Sequence, residues 1–265
     1  MRFGVISDVH GNLHALRATV SHLRRQGVDG WLSVGDLIGY GPHPNECVEM
    51  LAELGAAGVA GNHELIALGE LSGVSSSERA RRSHRWTAAE LHEDVVAYLA
   101  GLPRRVEIAG GVLLTHGSLD DPEEYVNTVT KATHQLAQLA REHPTARLLV
   151  LGNTHRQQLC SERGGSLSTR SGSTIRLDVF QRHLANPGSV GQSRQWEWPP
   201  PARAMVLDVN EMTVEFHRIP YDVRAGRLEL ARHGLPYRSL QAPPPLRSVA
   251  SRRLRRVVYA LKRRP

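Results

Sequence analysis

Five short polar blocks recur along this chain, each directly after a run of apolar residues short enough to be a β-strand. They are Asp8-Val9-His10, Gly35-Asp36, Gly61-Asn62-His63-Glu64, His116-Gly117 and Gly152-Asn153-Thr154-His155. Helical stretches separate the first strands, and strands alternating with helices imply parallel βαβ units. In sheets of that kind, ligands gather beyond the carboxyl ends of the strands. Five blocks at five strand ends therefore predict one shared site. The blocks supply carboxylates, an amide and imidazoles, a donor set that borderline divalent metals accept.

The elements follow from local pattern. Arg2 to Ser7 reads as a buried strand, and Asn12 is a good helix N-cap ahead of Leu13, Leu16, Val20 and Leu23 at helical spacing. Trp31 to Val34 is a second strand, and Pro44 opens a helix whose apolar face is Cys47, Val48, Leu51 and Leu54. Gly58 to Ala60, Val112 to Thr115 and Leu148 to Leu151 are further strands. Roughly Ser75 to Leu102 reads as a polar helical stretch, and Thr130 to Glu142 as another helix. After His155 the texture changes. Segments 157–160, 173–180, 182–185, 203–209 and 213–218 are short and turn-bounded, which predicts a second, mostly antiparallel sheet.

Taken singly, each block has an ordinary explanation, such as a Gly-Asp turn or an Asn-His helix start. Taken in order, they define a centre. Asp8 and His10 are two residues apart and share one side if the backbone stays extended there. Asp36 has two oxygens and can bridge two cations. Asn62 offers an amide oxygen, and His116 and His155 arrive from other strands. Such a mixed set suits manganese, iron or zinc better than calcium. Two cations roughly 3.5–4 Å apart lower the pKa of a shared water and clamp a phosphoryl group for in-line attack. His63 follows a candidate ligand and is not needed as one. Its expected role is to stabilise phosphate charge or to protonate the leaving oxygen. The other histidines read as surface or packing residues, with His14, His43 and His183 nearest to the motif loops.

Composition narrows the function classes. The net charge is +7, but residues 247–265 hold eight basic residues and no acid, so the first 246 residues carry about −1. A basic body would argue for nucleic acid, whereas this distribution implies only that the tail can touch something acidic. The tail places Ala250, Leu254, Val257, Val258 and Leu261 on one helical face behind the stiff spacer Pro243-Pro244-Pro245. It reads either as a helix docked on the body or as a basic amphipathic contact for anionic lipid or nucleic-acid phosphates. No run approaches the ~20 apolar residues of a membrane span. Met1 leads directly into a strand, with no secretory leader in view. Cys47 and Cys160 stand far apart and read as reduced, partly buried thiols, which predicts a cytoplasmic protein.

The residues also carry a family resemblance. Ser7-Asp8-Val9-His10-Gly11-Asn12, Gly35-Asp36-Leu37-Ile38-Gly39-Tyr40-Gly41-Pro42, Gly61-Asn62-His63-Glu64, Thr115-His116-Gly117 and Gly152-Asn153-Thr154-His155 resemble the calcineurin-like metallophosphoesterases, in particular their small bacterial and archaeal phosphodiesterase branch. Asn186 to Gln192 is similar to a segment of that branch. The resemblance implies an α/β fold of four layers, an αββα sandwich of two packed mixed sheets flanked by helices, over residues 1–222, with 223–265 as an extension. It implies two divalent ions, manganese, iron, zinc or nickel. One is held by Asp8, His10, Asp36 and His155. The other is held by Asp36, Asn62, His116 and the first histidine of a Gly-His-x-His block, where this chain has Asn153. Glu64 replaces a more usual aspartate and is expected to orient His63. The implied activity is hydrolysis of a phosphate ester, as a phosphodiesterase, by metal-activated water. The alternatives are a catalytically weakened scaffold that binds a protein partner, and a phosphomonoesterase or phosphoprotein phosphatase. The loop after Asp36 lacks the arginine pattern of the eukaryotic Ser/Thr phosphatases.

Overall fold

The computed structural model describes residues 1–73, 78–167, 169–195 and 197–240. From the N-terminus, β1 (Arg2–Ile6), α1 (Leu13–Arg25), β2 (Gly30–Ser33), α2 (Pro44–Glu53) and β3 (Ala57–Gly58) alternate as the sequence predicts. The caps explain the helix starts. Asn12 Oδ1 accepts from Ala15 N at 3.1 Å, and Pro44 fills the first turn of α2, where its missing N–H costs nothing. Then come α3 (Asn62–Ala67), α4 (Glu78–Glu90), α5 (Glu93–Ala100), β4 (Arg105–Ile108), β5 (Val112–Thr115), α6 (Val129–Glu142) and β6 (Leu148–Val150). The chain continues through β7 (Gln157–Ser161), β8 (Gly165–Leu167), β9 (Thr174–Arg176), β10 (His183–Pro187), β11 (Ala202–Asp208), β12 (Thr213–Ile219) and α7 (Val223–Arg232).

Two six-stranded mixed sheets result, ordered β3-β2-β1-β11-β12-β9 and β4-β5-β6-β10-β7-β8. Their facing sides share one apolar cluster that includes Val5, Leu32, Leu114, Leu148, Met205 and Phe216. The alternate residues point outward. Ile6 joins Leu16, Leu51 and Leu99 under α1, α2 and α5, while Leu113 and Leu149 join Leu136 and Leu139 of α6. That period-two split places helix, sheet, sheet and helix in four layers. α7 packs on α1, with its N-cap Asp222 accepting from Ala225 N at 2.9 Å. The spacer 243–245 and the basic tail 247–265 lie outside the described residues.

Three expectations change. The strands after His155 do not form a sheet of their own. β11 joins the first sheet antiparallel to β1, with β12 antiparallel to β11 beyond it, while β7, β8 and β10 complete the second beside β5 and β6. β11 is buried along nearly its whole length, and only a central place in a sheet covers it on both faces. Within the stretch read as helical from 75 to 102, α4 and α5 are separate. The Asn45 side chain bridges the break, donating to Glu90 O at 2.8 Å and accepting from His92 N at 3.0 Å. The strand expected over 173–180 shrinks to β9, because Asp178 turns the chain by accepting from Phe180 N and Gln181 Nε2. Edge strands β4 and β8 were not expected. Arg105 and Glu107 face outward in β4, so its apolar signal is weak.

Candidate metal centre

The parallel strands β1, β2, β5 and β6 all end at one edge of the sandwich, and there the five blocks meet. Asp8, His10, Asp36, His116 and His155 are each at most 1% exposed. Burial that deep forces the charges to find partners. Asp8, His10, Asp36 and His155 place one ligand-type atom each within 4.8 Å of one another. Asp36 joins this group to a second one. Its Oδ2 lies 3.7 Å from His10 Nε2 and 3.2 Å from His116 Nε2, and His116 Nε2 lies 3.2 Å from Asn62 Oδ1.

Backbone conformation produces this convergence. Asp8, His10, Asp36, Asn153 and His155 all have left-handed backbone, with φ between 50° and 62°. Each such residue costs on the order of 1–3 kcal/mol and persists only where its surroundings enforce it. The extended Asp8-x-His10 arrangement is therefore replaced by a sharp turn that aims both side chains inward. The enforcement comes largely from the Asn186–Gln192 segment. Ser189 Oγ and Gly191 N donate to Asp8 O at 2.8 and 2.9 Å, and Asn186 Nδ2 donates to Gly152 O at 2.6 Å. A side chain at Gly191 would place its Cβ 1.7 Å from Val9 O, so only glycine fits.

The imidazoles are held in one tautomer. The Nδ1 atoms of His10, His116 and His155 lie 3.1, 2.6 and 2.6 Å from the carbonyl oxygens of Ile38, Val34 and Gln192. A carbonyl only accepts, so each Nδ1 carries a proton and each Nε2 is turned into the site, bare at His10 and His155, whose rings burial keeps neutral. Lone pairs then face lone pairs. His10 Nε2 and His155 Nε2 are 3.1 Å apart, and His155 Nε2 is 3.2 Å from Asp8 Oδ1. Positive charge among these atoms relieves that repulsion, so the donor set fits divalent cations. The electrostatics show the same demand. Burial alone would lower His116, yet Asp36 beside it outweighs burial and pushes its pKa up to about 9. Burial would raise Asp36, but His116 and His63 hold its carboxyl well below the usual range. Burial holds His10 well below the ordinary imidazole value, and burial with the Arg194 charge lowers His155.

His63 flanks the group at the start of α3. Its N–H donates to Asp36 Oδ1 at 2.9 Å, and its ring Nε2 lies 3.9 Å from Asp36 Oδ2. The ring fits only because position 39 is glycine, where a Cβ would lie 2.0 Å from His63 Nδ1. Burial keeps His63 well below the ordinary imidazole pKa despite the raising effect of Asp36. The structure differs from the expectation that Glu64 orients His63. Glu64 instead accepts four backbone N–H groups, from Asp36, Leu37, Ile38 and Gly61, at 2.7–3.2 Å. Burial and the Asp36 charge push the Glu64 pKa up to about 7 against those bonds. It is the buried peg on which the Asp36 loop hangs. Glu64→Ala leaves these N–H groups unpaired and is expected to cost roughly 3–5 kcal/mol. A lowered urea midpoint with an unchanged slope checks it. An unchanged midpoint would contradict the role.

Asn153 turns its amide nitrogen away. Nδ2 donates to Pro122 O and Glu124 O at 3.3 and 3.2 Å, and the backbone N donates to Asp8 Oδ1 at 3.2 Å. Oδ1 remains as the polar atom available to the site. Asp36, Asn62, His63 and Asn153 line a cleft of about 540 Å³. Its other lining residues include Tyr40, from the Gly35–Pro42 motif that follows β2, and Tyr125, Asp121, Glu123 and Arg194, which sequence reasoning did not nominate. His14 and His43 instead pack on each other, with ring centroids 5.9 Å apart, and His183 Nε2 lies 3.0 Å from Asp178 O.

Two mixed sheets meeting at a buried Asp/His cluster define a metallophosphoesterase. Residues 1–214 match the calcineurin-like phosphoesterase family, and the chain belongs to it. It is 33% identical to a metallophosphoesterase from Sphaerobacter thermophilus, whose crystal structure matches with a TM-score of 0.76 over 91% of this chain and 97% of that one. It is 30% identical over 242 residues to an uncharacterized protein of Methanocaldococcus jannaschii, covering 88% of this chain and 93% of that protein. A hypothetical protein from Pyrococcus horikoshii shares the fold at 16% identity, with a TM-score of 0.73 over 90% of this chain and 96% of that one. Among the described residues no helix is long and apolar enough to cross a membrane.

Proposed function

We propose that this chain is a phosphodiesterase with a two-metal centre. The observation that carries the reading is the crowding of imidazole Nε2 atoms and carboxylate oxygens around Asp36 Oδ2, which lies between the two donor groups. Asp8, His10, Asp36 and His155 hold one divalent cation, and Asp36, Asn62 and His116 hold the other, with Asn153 Oδ1 beside it. The mixed nitrogen and oxygen donors suit manganese, iron, zinc or nickel. When bound, the cations supply Lewis-acid charge and lower the pKa of water. His63 meets the phosphate at the cleft side of the cluster. A phosphate oxygen near its ring raises its pKa, which lets it carry a proton toward the leaving oxygen.

The cleft favours a diester. At about 540 Å³ it has room for a substituent on each side of phosphorus, and the Asp121 and Glu123 carboxylates along it disfavour a dianionic monoester. After chelation and return of manganese, hydrolysis of bis(p-nitrophenyl) phosphate is expected to exceed that of p-nitrophenyl phosphate by at least about tenfold in kcat/KM. The reverse preference would overturn the diesterase reading and leave a monoesterase.

Asn153 sets an inequality between the two sites. An amide oxygen is a weaker ligand than imidazole for these metals. Asn153→His is expected to tighten the weaker site by roughly tenfold and to raise activity at limiting metal. Calorimetric titration of the parent protein with manganese checks it, and two equal affinities there would count against it.

A further inference from the structure

Arg194 is a cation on the cleft wall whose neighbours leave half of it open. Its Nη1 donates to the Tyr125 hydroxyl at 2.9 Å and to the Asn153 carbonyl at 3.1 Å. Its guanidinium carbon lies 5.3 Å from the Tyr125 ring centroid, a cation–π contact. Among the described residues no carboxylate pairs with it. Glu124 pairs instead with Lys131, and Glu197 with Arg203 and Arg218. Both Nη1 protons are therefore engaged, while Nε and Nη2 have no partner among the described residues. Those two nitrogens form one edge of the planar fork, the edge that matches two oxygens of a phosphate.

The position of this edge is constrained. Asn153, whose carbonyl anchors Arg194, also donates its backbone N–H to Asp8 Oδ1, so Arg194 is one residue removed from the donor cluster. It lines the same cleft as Asp36, Asn62 and His63. A half-buried guanidinium fixed by two bonds and a ring has already given up much of its rotamer freedom, so less is lost when an anion arrives.

Resting on the phosphoesterase reading above, we propose that Arg194 is a substrate-binding residue. Its Nε–Nη2 edge receives the non-bridging oxygens of the phosphate. Tyr125 is a positioning residue that holds the guanidinium through its hydroxyl and its ring. The ligand class is a phosphate ester, or the phosphate released from one.

Binding of inorganic phosphate to the manganese-loaded protein tests this independently of turnover. Arg194→Met is expected to weaken phosphate binding by calorimetry about 10- to 100-fold, and to raise KM by a similar factor, with kcat changed much less. Arg194→Lys keeps the charge and loses the fork, so most of the loss remains. Tyr125→Phe keeps the ring and frees Nη1, with a loss of a few-fold. Metal content is expected to stay at the parent level in all three. Phosphate affinity within twofold of the parent in both Arg194 variants would overturn the proposal. Loss of metal from both, with phosphate affinity restored when metal is resupplied, would also overturn it and assign Arg194 to support of the Asn153 turn. A parent protein that binds phosphate through Arg194 but hydrolyses no ester would refute the phosphoesterase reading alone.

Discussion

Asp36→Asn is expected to lose the second metal, most of the first, and at least about a thousandfold in phosphodiester hydrolysis. The substitution is nearly isosteric, and asparagine tolerates the left-handed backbone that position 36 adopts, at φ 55°. The fold should survive. What changes is the group at the centre of the cluster. Asp36 Oδ1 is engaged by His63 N, and Oδ2 is the oxygen that faces both His10 and His116. An amide that keeps its oxygen on His63 N turns an NH2 toward those two imidazoles, a donor where a cation must sit. An amide flipped the other way loses the His63 bond and carries no negative charge. Elemental analysis of the purified variant reads the metal, and steady-state rates read the chemistry. Full metal content with retained turnover would show that Asp36 is no bridge.

His63→Ala is expected to behave differently, keeping its metal while losing roughly 10²- to 10⁴-fold in kcat. His63 is outside the group of four side chains that close within 4.8 Å. The bond it gives to Asp36 comes from its backbone N–H, which alanine retains. The ring packs between Tyr40 and His84, at centroid distances of 4.8 and 4.4 Å, so its removal leaves a gap beside the cluster rather than within it. Loss of metal in this variant would mean that the imidazole is a binding group. Metal retained with unchanged kcat would remove it from the chemistry.

The contrast between these variants reflects what a sequence can express. The donor residues were legible because each stands directly after a strand, and a strand end is a local pattern. The strands β1, β2, β5 and β6 were legible as short apolar runs, but which of their residues face the other sheet was not. Sheet membership was not. β11 sits beside β1 although some 200 residues separate them, and an apolar run states that it is buried, not by whom it is covered. The left-handed turns at Asp8 and His10 were not legible, because aspartate and histidine visit that region more often than most residues but still rarely. They are imposed by Ser189 and Gly191 from a distant segment that the sequence marked only as family-like. Glu64 was read as a neighbour of His63, whereas its side chain reaches back to the Asp36 loop. Arg194 carried no signal at all. A single arginine among so many acquires meaning only when Tyr125 and Asn153 are found to hold it against the cleft.

In the proposed centre the cluster holds two divalent cations of unequal affinity, and hydrolysis depends on both. Calorimetric titration of the chelated protein with manganese, with bis(p-nitrophenyl) phosphate turnover followed at each point, tests it most directly. Two binding events are predicted, with turnover rising as the weaker site fills. Turnover that is complete before any metal is added, or a protein that takes up no manganese, would rule out a two-metal centre.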